Sequence, residues 1–365
     1  MSGDRAVLVA AGGTGGHLFP AQALSEELQR RGIAVELATD ERAIKYGGSF
    51  PARQIHTIPA ATPTGGGVVS KVIAALQLGH GTLTARGIIK RTKPLCIVGF
   101  GGYPTVPPVM AATMLGTPSI LHEQNAVMGR ANKFLADRVN RIATGFPELG
   151  GVDAAITAKV THTGNPVRPS VIEAAQLAYP ETQSGRLRLL ITGGSQGAKV
   201  MSDIVPSAIA AMAPVMRERL DIVQQARGED EARVREVYQS LGMKAEVAPF
   251  FTDLPARIGW AHLVIARSGA STVSELAVIG RPAILVPFPF ALDQDQAVNA
   301  AHLAKTGAVE VVRQSDFTLE WLAASLTRVL GRMEGLTARA EAAKSAGIPD
   351  AAARLANLVC EVAGI

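Results

Sequence analysis

The chain has 365 residues, of which 47% are hydrophobic and 18% charged, so it is long enough for two domains and too apolar to be disordered. A formal net charge of +5 favours an anionic partner, but no cluster of Lys and Arg with interleaved aromatic residues is present, which argues against nucleic acid. The two cysteines, Cys96 and Cys360, lack zinc-site spacing, and no apolar run is long enough to span a membrane.

The chain begins with a strand, a glycine-rich turn and a helix. Residues 6–11 are apolar, residues 12–17 read GGTGGH, and Pro20 is expected to open a helix that runs to residue 31. A second strand at 33–38 completes a β-loop-α-β unit. The turn does not match the GxGxxG motif of dinucleotide-binding proteins. Asp40 lies where an acidic residue could bind a ribose, so the sequence gives a dehydrogenase only weak support.

A long helix follows a loop at 57–69 that is rich in Pro, Gly and Thr. The pattern predicts this helix over 70–93, with breaks near Gly79 and Gly81. Its end, residues 86–93, combines two isoleucines with four basic residues. This end is typical of an ordinary helix surface or, alternatively, of a site for anionic lipid headgroups.

Polar strings follow the next two strands. A strand at 95–100 runs into GFGGYPT at 99–105, and a strand at 119–122 ends in HEQN at 122–125. Because the carboxyl ends of parallel strands meet at one edge of a sheet, we expect these strings to gather near the first glycine-rich turn.

The second half of the chain repeats the opening of the first. Short strands at 142–144 and 160–163 close the first half, and GNPVRP at 164–169 marks the boundary. A strand at 187–192 then leads into GGSQGA at 193–198. Two similar α/β halves are therefore expected, rather than one extended sheet.

Residues 263–299 carry the strongest chemical signal. An apolar strand at 263–266 leads into small, hydroxyl-rich residues and a helix that Gly280 closes. Backbone N–H groups at such a helix start bind phosphate, and Glu275, one turn inside, can reach a ribose diol. Residues 293–299, rich in amides and acids, follow the next strand, where they can bind sugar hydroxyls. A capped helix followed by a solvated loop is the alternative, but the combination favours a nucleotide-sugar site.

These strings together resemble one family, the MurG N-acetylglucosaminyltransferases of bacterial peptidoglycan synthesis. They occur in the family's order over nearly the whole chain, and as a set they are highly specific. The matching strings are GGTGGH (12–17), GFGGYPT (99–105), HEQN (122–125), GNPVR (164–168), GGSQGA (193–198), RSGASTVSE (267–275) and DQAVNA (295–300).

The resemblance implies a GT-B fold, in which two Rossmann-like domains face each other across a cleft and the C-terminal helix returns to the N-terminal domain. It implies an acceptor domain at 1–166 plus 349–365 and a UDP-GlcNAc-binding domain at 167–348. The implied reaction transfers GlcNAc, with inversion, from UDP-GlcNAc to the MurNAc C4 hydroxyl of undecaprenyl-diphospho-MurNAc-pentapeptide (lipid I), which gives lipid II.

The family's donor-site residues map onto matching positions of this sequence. The implied UDP-GlcNAc contacts are Thr14, Gly15, Gly16, Asn125, Arg168, Ser195, the backbone of Phe251, Gly269, Ala270, Ser271, Thr272, Val273, Ser274, Glu275, Gln296 and Asn299. Asp295 stands where some members have Gln, and it is included as a sugar-facing candidate.

The transfer requires a base for the acceptor hydroxyl, and His17 is the first candidate because imidazole titrates near neutrality. A structural role for His17, in which it bonds its own loop, is the alternative. His122 and Glu123 are the alternatives, either as the base or as residues that hold the acceptor. Tyr103 and Thr105 are expected to contact the acceptor diphosphate through loop N–H groups.

No cofactor and no catalytic metal is expected. Asp293, Gln294 and Asp295 match the letters of the Asp-x-Asp motif in metal-dependent glycosyltransferases, but the preceding helix start can already hold the diphosphate. We interpret these aspartates as sugar-facing or solvated.

The expected partners are UDP-GlcNAc, lipid I and an anionic membrane surface, without nucleic acid. The expected location is the cytoplasmic face of the bacterial cell membrane, as a peripheral protein, because residues 1–13 lack a signal-peptide pattern. Alternative functions are another UDP-sugar-dependent GT-B glycosyltransferase, a UDP-GlcNAc 2-epimerase or, from a different class, a non-enzymatic nucleotide-binding module.

Overall fold

The structure is a computed structural model, and it describes residues 5–12, 15–41, 50–60, 68–291 and 294–365. The chain forms two compact units. Unit 1 consists of Met1–Arg168 and Pro349–Ile365, and unit 2 consists of Pro169–Ile348. The assignment of unit 1 to the acceptor and unit 2 to the donor stays a prediction.

Unit 1 contains, within its described residues, a seven-stranded sheet whose neighbouring strands are all parallel. The strand order is β3-β2-β1-β4-β5-β6-β7, so the direction of winding reverses between β1 and β4. The strands are β1 (Val7–Ala10), β2 (Val35–Thr39), β3 (Gln54–Thr57), β4 (Ile97–Gly99), β5 (Ser119–Glu123), β6 (Arg141–Thr144) and β7 (Val160–His162).

Helices of unit 1 connect these strands, and a short 3-10 helix at Tyr103–Thr105 follows β4. Their apolar faces pack on the sheet, whose central strands are almost wholly buried, as parallel strands covered on both faces are. The helices are α1 (Gly15–Arg30), α2 (Val68–Thr92), α3 (Val106–Met114), α4 (Arg130–Leu135) and α5 (Ala154–Thr157).

Two of the helix predictions for unit 1 were wrong. Helix α1 begins at Gly15 and contains Pro20, which was expected to open it. Helix α2 runs unbroken through Gly79 and Gly81. A Cβ on Gly81 would lie 2.1 Å from the carbonyl oxygen of Pro59, so this glycine permits close packing of the helix and does not end it.

The basic end of α2 also differs from the prediction. Ile88 and Ile89 are 7% and 3% exposed and belong to the core, so they do not form an apolar surface with the basic residues. Among the side chains of α2 that the structure describes, from residue 72 onward, the large exposed apolar ones lie nearer its start, and they are Val72, Ile73, Leu76 and Leu83.

Unit 2 contains a six-stranded parallel sheet in the order β10-β9-β8-β11-β12-β13, with the winding reversed between β8 and β11. Its apolar core is separate from the cores of unit 1. The strands are β8 (Leu187–Thr192), β9 (Leu220–Gln225), β10 (Ala245–Ala248), β11 (Leu263–Ala266), β12 (Ala283–Leu285) and β13 (Val309–Val311).

Helices connect the strands of unit 2, because parallel neighbouring strands need a crossover connection. Gly280 ends the helix after β11 in the left-handed conformation, with φ 74°. The helices are α6 (Pro169–Ala174), α7 (Lys199–Ala211), α8 (Pro214–Arg217), α9 (Gly228–Ser240), α10 (Leu254–Trp260), α11 (Ala270–Ile279), α12 (Asp295–Ala304), α13 (Leu319–Leu330) and α14 (Gly335–Ser345).

The last helix, α15 (Ala351–Ala363), belongs to unit 1. Leu355 and Val359 are fully buried in the same core as Leu24 and Leu28 of α1. Burial of each such side chain stabilises the unit by about 1.5–3 kcal/mol. The predicted return of the C-terminal helix to the N-terminal domain is confirmed.

None of the helices in the described ranges is both long enough and apolar enough to cross a lipid bilayer.

Candidate active site

The two strands at the winding reversal of unit 2 each end in a turn of small residues. Thr192 of β8 pairs with Ala266 of β11, so the loops that follow these strands leave the sheet side by side. Ligands of open α/β sheets bind in the crevice at such a reversal.

The loop after β11 opens directly into α11. Gly269 is the N-cap and has no side chain to occupy the first turn, so the first backbone N–H groups of this ten-residue helix can serve an anion. Ser271, Thr272 and Ser274 are partly exposed, whereas Ala270 and Val273 are buried and can offer only backbone atoms. Glu275, 7% exposed, lies one turn further in.

The loop after β8 is held by a residue that the sequence did not suggest. The side-chain oxygen of Gln225 accepts hydrogen bonds from the Thr192 hydroxyl (2.9 Å) and the Gly193 N–H (3.0 Å). Its Nε2 donates to the carbonyls of Gly194 (3.1 Å) and Pro249 (3.2 Å). Gln225 therefore joins the loop that carries the exposed Ser195 to the loop after β10.

The loop after β10 places its two phenylalanines in different environments. Phe251 is 8% exposed, and the Arg257 guanidinium lies 4.2 Å from its ring centroid. Phe250 is 57% exposed and offers an open aromatic face, although sequence reasoning had singled out only Phe251. The Phe251 side chain therefore has a structural role, which is compatible with the prediction that only the backbone of Phe251 contacts the nucleotide.

The start of α12 lies against the start of α11. The Ser268 hydroxyl donates to the Gln296 carbonyl (2.8 Å), and Asn299 Nδ2 donates to the Ser268 carbonyl (3.4 Å). The Gln296 side-chain oxygen accepts from the Phe288 N–H (3.0 Å), and an Asp295 carboxylate oxygen accepts from the Gln296 N–H (2.8 Å). Gln296 and Asn299 therefore lie beside the predicted diphosphate-binding turn.

Arg267 fixes the loop that precedes α12. Its guanidinium donates to the carbonyls of Val286 (3.0 Å) and Pro287 (3.1 Å) and to the side-chain oxygen of Gln314 (2.6 Å). Burial lowers the pKa of Arg267 to about 10, so the group stays charged at neutral pH. No local motif predicts this contact, because Gln314 lies 47 residues away in the sequence.

A cavity of about 690 Å³ lies against the other side of α12, lined by residues that include Phe288, Gln294, Ala297, Val311 and Arg313. Gln294 and Ala297 point away from the helix face that carries Gln296 and Asn299. Phe288, whose N–H donates to Gln296, lines this cavity, so the cavity adjoins the predicted sugar contacts.

The described residues contain no group of three His, Cys, Asp or Glu side chains that could hold a metal. Asp293, the first residue of the Asp-x-Asp letters, lies outside the described residues, as does Thr14.

Two glycine-rich turns also meet at the winding reversal of unit 1, between β1 and β4. A Cβ on Gly12 would lie 2.9 Å from a carboxylate oxygen of Asp40 and from Pro104 Cβ, so only glycine fits there. Gly15 and the partly buried Gly16 open α1. Gly101 and Gly102 have φ of 80° and 72°, and a Cβ on either would lie 3.5 Å from the His17 ring. His17 therefore lies where the two turns meet.

Thr105 holds the second of these turns. It is fully buried, its hydroxyl donates to the Gly101 carbonyl (2.6 Å), and its N–H donates to the Gly102 carbonyl (3.1 Å). Its N–H is thus used within the turn, which argues against the predicted contact to an acceptor diphosphate through this group. Tyr103, next to Gly102, is partly exposed.

His122 is held on both sides of its ring. Its Nε2 faces the Gly164 carbonyl at 3.2 Å and therefore carries the hydrogen, while its Nδ1 accepts from Gln124 Nε2 at 3.1 Å. Burial lowers the pKa of His122 to about 4. The imidazole is therefore neutral at physiological pH and its polar atoms are engaged.

Glu123, 2% exposed, holds the loop that carries Asn125. One carboxylate oxygen accepts from the N–H and side-chain amide of Asn125 (3.0 and 3.3 Å), and the other accepts from the Gly129 N–H (2.9 Å) and Asn132 Nδ2 (2.8 Å). Burial raises the pKa of Glu123, and these four donors act in the opposite direction. The contacts of His122 and Glu123 favour positioning roles for both.

Burial also lowers the pKa of His17, whose ring is packed against the second glycine-rich turn. The neutral form, which can accept a proton, is therefore favoured near neutral pH. The Arg168 guanidinium lies 3.9 Å from the ring centroid of Phe19, on the same helix as His17.

Known proteins resemble this chain over nearly its whole length. The glycosyltransferase family 28 N-terminal domain matches residues 7–144, and the glycosyltransferase family 28 C-terminal domain matches residues 188–355. A relative from Methylobacterium sp. (strain 4-46) is 57% identical over 98% of this chain and 96% of its own length. It is named UDP-N-acetylglucosamine--N-acetylmuramyl-(pentapeptide) pyrophosphoryl-undecaprenol N-acetylglucosamine transferase.

Solved structures show the same architecture. The crystal structure of MurG from Acinetobacter baumannii matches with a TM-score of 0.78 at 29% identity, covering 98% of this chain and 99% of that chain. UDP-GlcNAc 2-epimerase from Neisseria meningitidis, bound to UDP-GlcNAc, matches with a TM-score of 0.65 at 13% identity over 98% of both chains. The second likeness shows the fold alone.

Proposed function

The chain belongs to the MurG family, within glycosyltransferase family 28 and with its GT-B fold, and from this premise we propose that it makes lipid II. It transfers N-acetylglucosamine from UDP-GlcNAc to the lipid-linked N-acetylmuramyl-pentapeptide, lipid I. The observation that carries the proposal is the pair of loops after β8 and β11, which lie side by side at the winding reversal of unit 2.

The donor binds at this edge of unit 2. The first N–H groups of α11, from Ala270 to Thr272, and the Ser195 loop hold the diphosphate. Glu275 binds the ribose hydroxyls, and the backbone of Phe251, with the exposed ring of Phe250, accommodates the uracil. Gln296 and Asn299 bind the sugar.

The acceptor binds to unit 1, with its diphosphate near Tyr103 and the glycine-rich turns. Thr14, Gly15, Gly16, Asn125 and Arg168 complete the donor contacts from this part of the chain. No residue of this scheme requires a metal, because backbone N–H groups at a helix start can stabilise the departing diphosphate.

His17 acts as the base. Its neutral imidazole accepts the proton of the acceptor hydroxyl as the hydroxyl oxygen forms a bond to the anomeric carbon of GlcNAc. The bond from that carbon to the UDP oxygen breaks with inversion, and UDP leaves with the electron pair. His122 and Glu123 hold the Asn125 loop in place, since the polar atoms of both are engaged within the protein.

An acceptor assay tests the proposal. Radiolabelled UDP-GlcNAc is incubated with lipid I, with a lipid-linked glucose acceptor or with no acceptor, and the products are separated. Label in a lipid-linked disaccharide with lipid I alone is the expected result. Label transferred to the other acceptor, or conversion of UDP-GlcNAc to its C2 epimer, would overturn the proposal.

We further propose that the protein binds, as a peripheral protein, to the anionic cytoplasmic face of the bacterial membrane. Val72, Leu76 and Leu83 are 53%, 69% and 68% exposed, and their spacing aligns them on one face of α2. Exposed Lys90 continues this face at the other end of the helix, and a helix with apolar and basic surface residues suits an anionic bilayer surface.

Vesicle co-sedimentation tests the membrane proposal. The double variant Leu76→Ser, Leu83→Ser is expected to reduce binding to vesicles that contain anionic phospholipid by about tenfold, because two inserted leucines are lost. Val215→Ser in unit 2, at a residue 66% exposed, is the matched control and should leave binding unchanged. Equal binding of all three proteins would contradict the proposal.

A further inference from the structure

The cavity beside α12 has a wall made largely of apolar side chains. Phe288 and Val311 are 41% and 38% exposed, and Ala297 and two prolines complete the apolar part of the lining. The rings of Phe288 and Phe290 meet edge to face, with their centroids 5.7 Å apart. The volume of about 690 Å³ is that of pockets that bind small molecules, and such a wall suits a flat or aliphatic body.

Two polar residues of the lining offer donors that the protein itself does not use. Arg267 can only donate, and it bonds the side-chain oxygen of Gln314 at 2.6 Å, so Gln314 Nε2 is the end that remains for another partner. Across the part of the chain that the structure describes, neither this Nε2 nor the exposed Arg313 guanidinium makes a hydrogen bond or an ion pair. The lining therefore presents one charged donor and one neutral donor.

The charges around the cavity favour an anion. The Arg267 guanidinium lies 5.3 Å from the centroid of the Phe288 ring, which lines the cavity, so a second positive charge is close to the wall. None of the described lining residues is acidic. Asp316, next in the chain to the lining residue Ser315, already accepts a hydrogen bond from the Ser315 hydroxyl at 3.0 Å. A carboxylate or sulfonate is therefore complementary to these groups, whereas a cation is not.

We propose that this cavity is a second ligand site, which takes a small apolar organic anion such as an aromatic or aliphatic carboxylate. The apolar body packs on Phe288 and Val311, and the anionic group pairs with Arg313 and accepts a hydrogen bond from Gln314 Nε2. This site goes beyond the proposed function, because its ligand takes no part in the transfer.

The position of the cavity brings such a ligand next to the donor loops without placing it on the diphosphate-binding turn. The Phe288 N–H donates to the Gln296 side-chain oxygen at 3.0 Å, and Gln314 accepts from Arg267, which directly precedes that turn. An occupant that packs on Phe288 and Gln314 therefore contacts the groups that hold both loops. We expect the ligand and UDP to bind together and not to compete.

Calorimetric titration of the full chain with 2-naphthoate and with its neutral amide, 2-naphthamide, tests the requirement for charge. One saturable site is expected, and the carboxylate should bind about fivefold more tightly than the amide, because it gains a charge-assisted hydrogen bond. Equal affinities for the two probes would overturn the proposal. Loss of 2-naphthoate binding in saturating UDP would also overturn it, since the probe would then occupy the nucleotide site.

Two variants test whether the probe binds in this cavity. Arg313→Gln removes the charge, so it should lower the affinity for 2-naphthoate about fivefold and change that for 2-naphthamide by less than about twofold. Val311→Asp adds a carboxylate to the wall, so it should weaken 2-naphthoate at least about tenfold through like-charge repulsion and the loss of apolar contact. Unchanged binding in both variants would show that the probe lies elsewhere and would overturn the proposal.

Arg328→Gln and Val215→Asp are the matched controls, at an exposed arginine and an exposed valine of unit 2 that are not among the described lining residues. Both should bind 2-naphthoate as the parent does. Reduced co-sedimentation of Val311→Asp with anionic vesicles would identify a bilayer as the occupant of this surface and would count against a small ligand. Absence of transfer to lipid I by the parent would concern the proposed function alone, because the titration does not depend on turnover.

Discussion

His17, His122 and Glu123 differ in what their surroundings leave them able to do. The two ring nitrogens of His122 and the two carboxylate oxygens of Glu123 contact backbone and amide groups. His17 instead lies against Gly101 and Gly102, where a side chain on either glycine would crowd its ring. The proposed base is therefore distinguished from His122 and Glu123, which hold neighbouring loops, by its position and packing more than by its residue type.

The variant His17→Gln should lower kcat at least about 100-fold, the usual contribution of a general base. The dissociation constant for UDP-GlcNAc should change less than threefold, since the diphosphate is held by unit 2. Steady-state kinetics and equilibrium binding measure the two effects. His80→Gln, at an exposed histidine of α2, is the control, and a His17 variant that keeps parental kcat would rule out the assignment.

His122 should make the stability of the protein depend on pH. Burial lowers its pKa from 6.5 to about 4, so between these values the unfolded chain binds more protons than the folded one. The free energy of unfolding therefore falls as the pH drops through this window, by about 2 kcal/mol between pH 7 and pH 5 from this group.

Urea unfolding of the parent and of His122→Gln at both pH values measures this contribution. The variant should be less stable at pH 7, because it loses the ring contacts to Gly164 and Gln124, but it should lose about 2 kcal/mol less on acidification. An identical pH dependence in both proteins would show that His122 does not contribute.

Site residues that belong to local sequence patterns could be predicted, whereas those that act through contacts distant in the sequence could not. Glycine-rich strings and the helix start at Gly269 are local patterns, so the sequence indicated them directly. Gln225 and Arg267 hold loops of the same site through partners that lie 24–33 and 19–47 residues away, respectively. No spacing rule connects such residues, and only the folded chain reveals them.

At the scale of single elements, apolar runs bounded by glycine or polar residues predicted several strands well. The bounds of β8 and β11 match the prediction, whereas β3 (Gln54–Thr57) was missed, because three of its four residues are exposed and it lacks an apolar run. The predicted break in α2 was wrong, since a glycine within a helix can serve packing as well as termination.

The glycines of α2 allow a matched test of this explanation. A Cβ on Gly81 would meet the Pro59 carbonyl oxygen at 2.1 Å, whereas a Cβ on Gly79 would have nothing within 4 Å. Gly81→Ala should destabilise the protein by about 1–3 kcal/mol through overpacking. Gly79→Ala should be neutral or stabilise it by up to about 1 kcal/mol, because alanine favours the helix.

Urea unfolding and helix content by circular dichroism measure both variants. Destabilisation by both substitutions would mean that the flexibility of glycine, and not the space at Gly81, is what the helix requires. Equal stability of both variants would mean that the backbone at Pro59 can shift, at little cost in free energy, to make room for the added methyl group.

At the scale of the whole molecule, two units with separate cores are joined by a chain that passes from unit 1 to unit 2 and back. The family's two domains could be predicted from the repeated strand and glycine-rich turn, and the return of the last helix from the resemblance. Arg31, directly after α1, donates to the Asn357 side-chain oxygen at 2.7 Å, and Leu355 of the same last helix is buried in the core of unit 1.

The variant Leu355→Ala should therefore destabilise unit 1 by about 2–5 kcal/mol through the cavity it leaves. Hydrogen exchange should accelerate in β1, β2 and α1, with β8 and β11 unaffected. Arg354→Ala, at an exposed residue of the same helix, is the control. Equal acceleration in both units would show that they unfold together.

The return of α15 to unit 1 has a consequence for synthesis in the cell. Residues 1–168 emerge from the ribosome first, yet Leu355 and Val359, which complete their core, are translated only after the whole of unit 2. Unit 2 can therefore fold before unit 1 has all of its core. During that interval Leu24 and Leu28 of α1 lack the side chains that cover them in the folded protein, and chaperones can bind them.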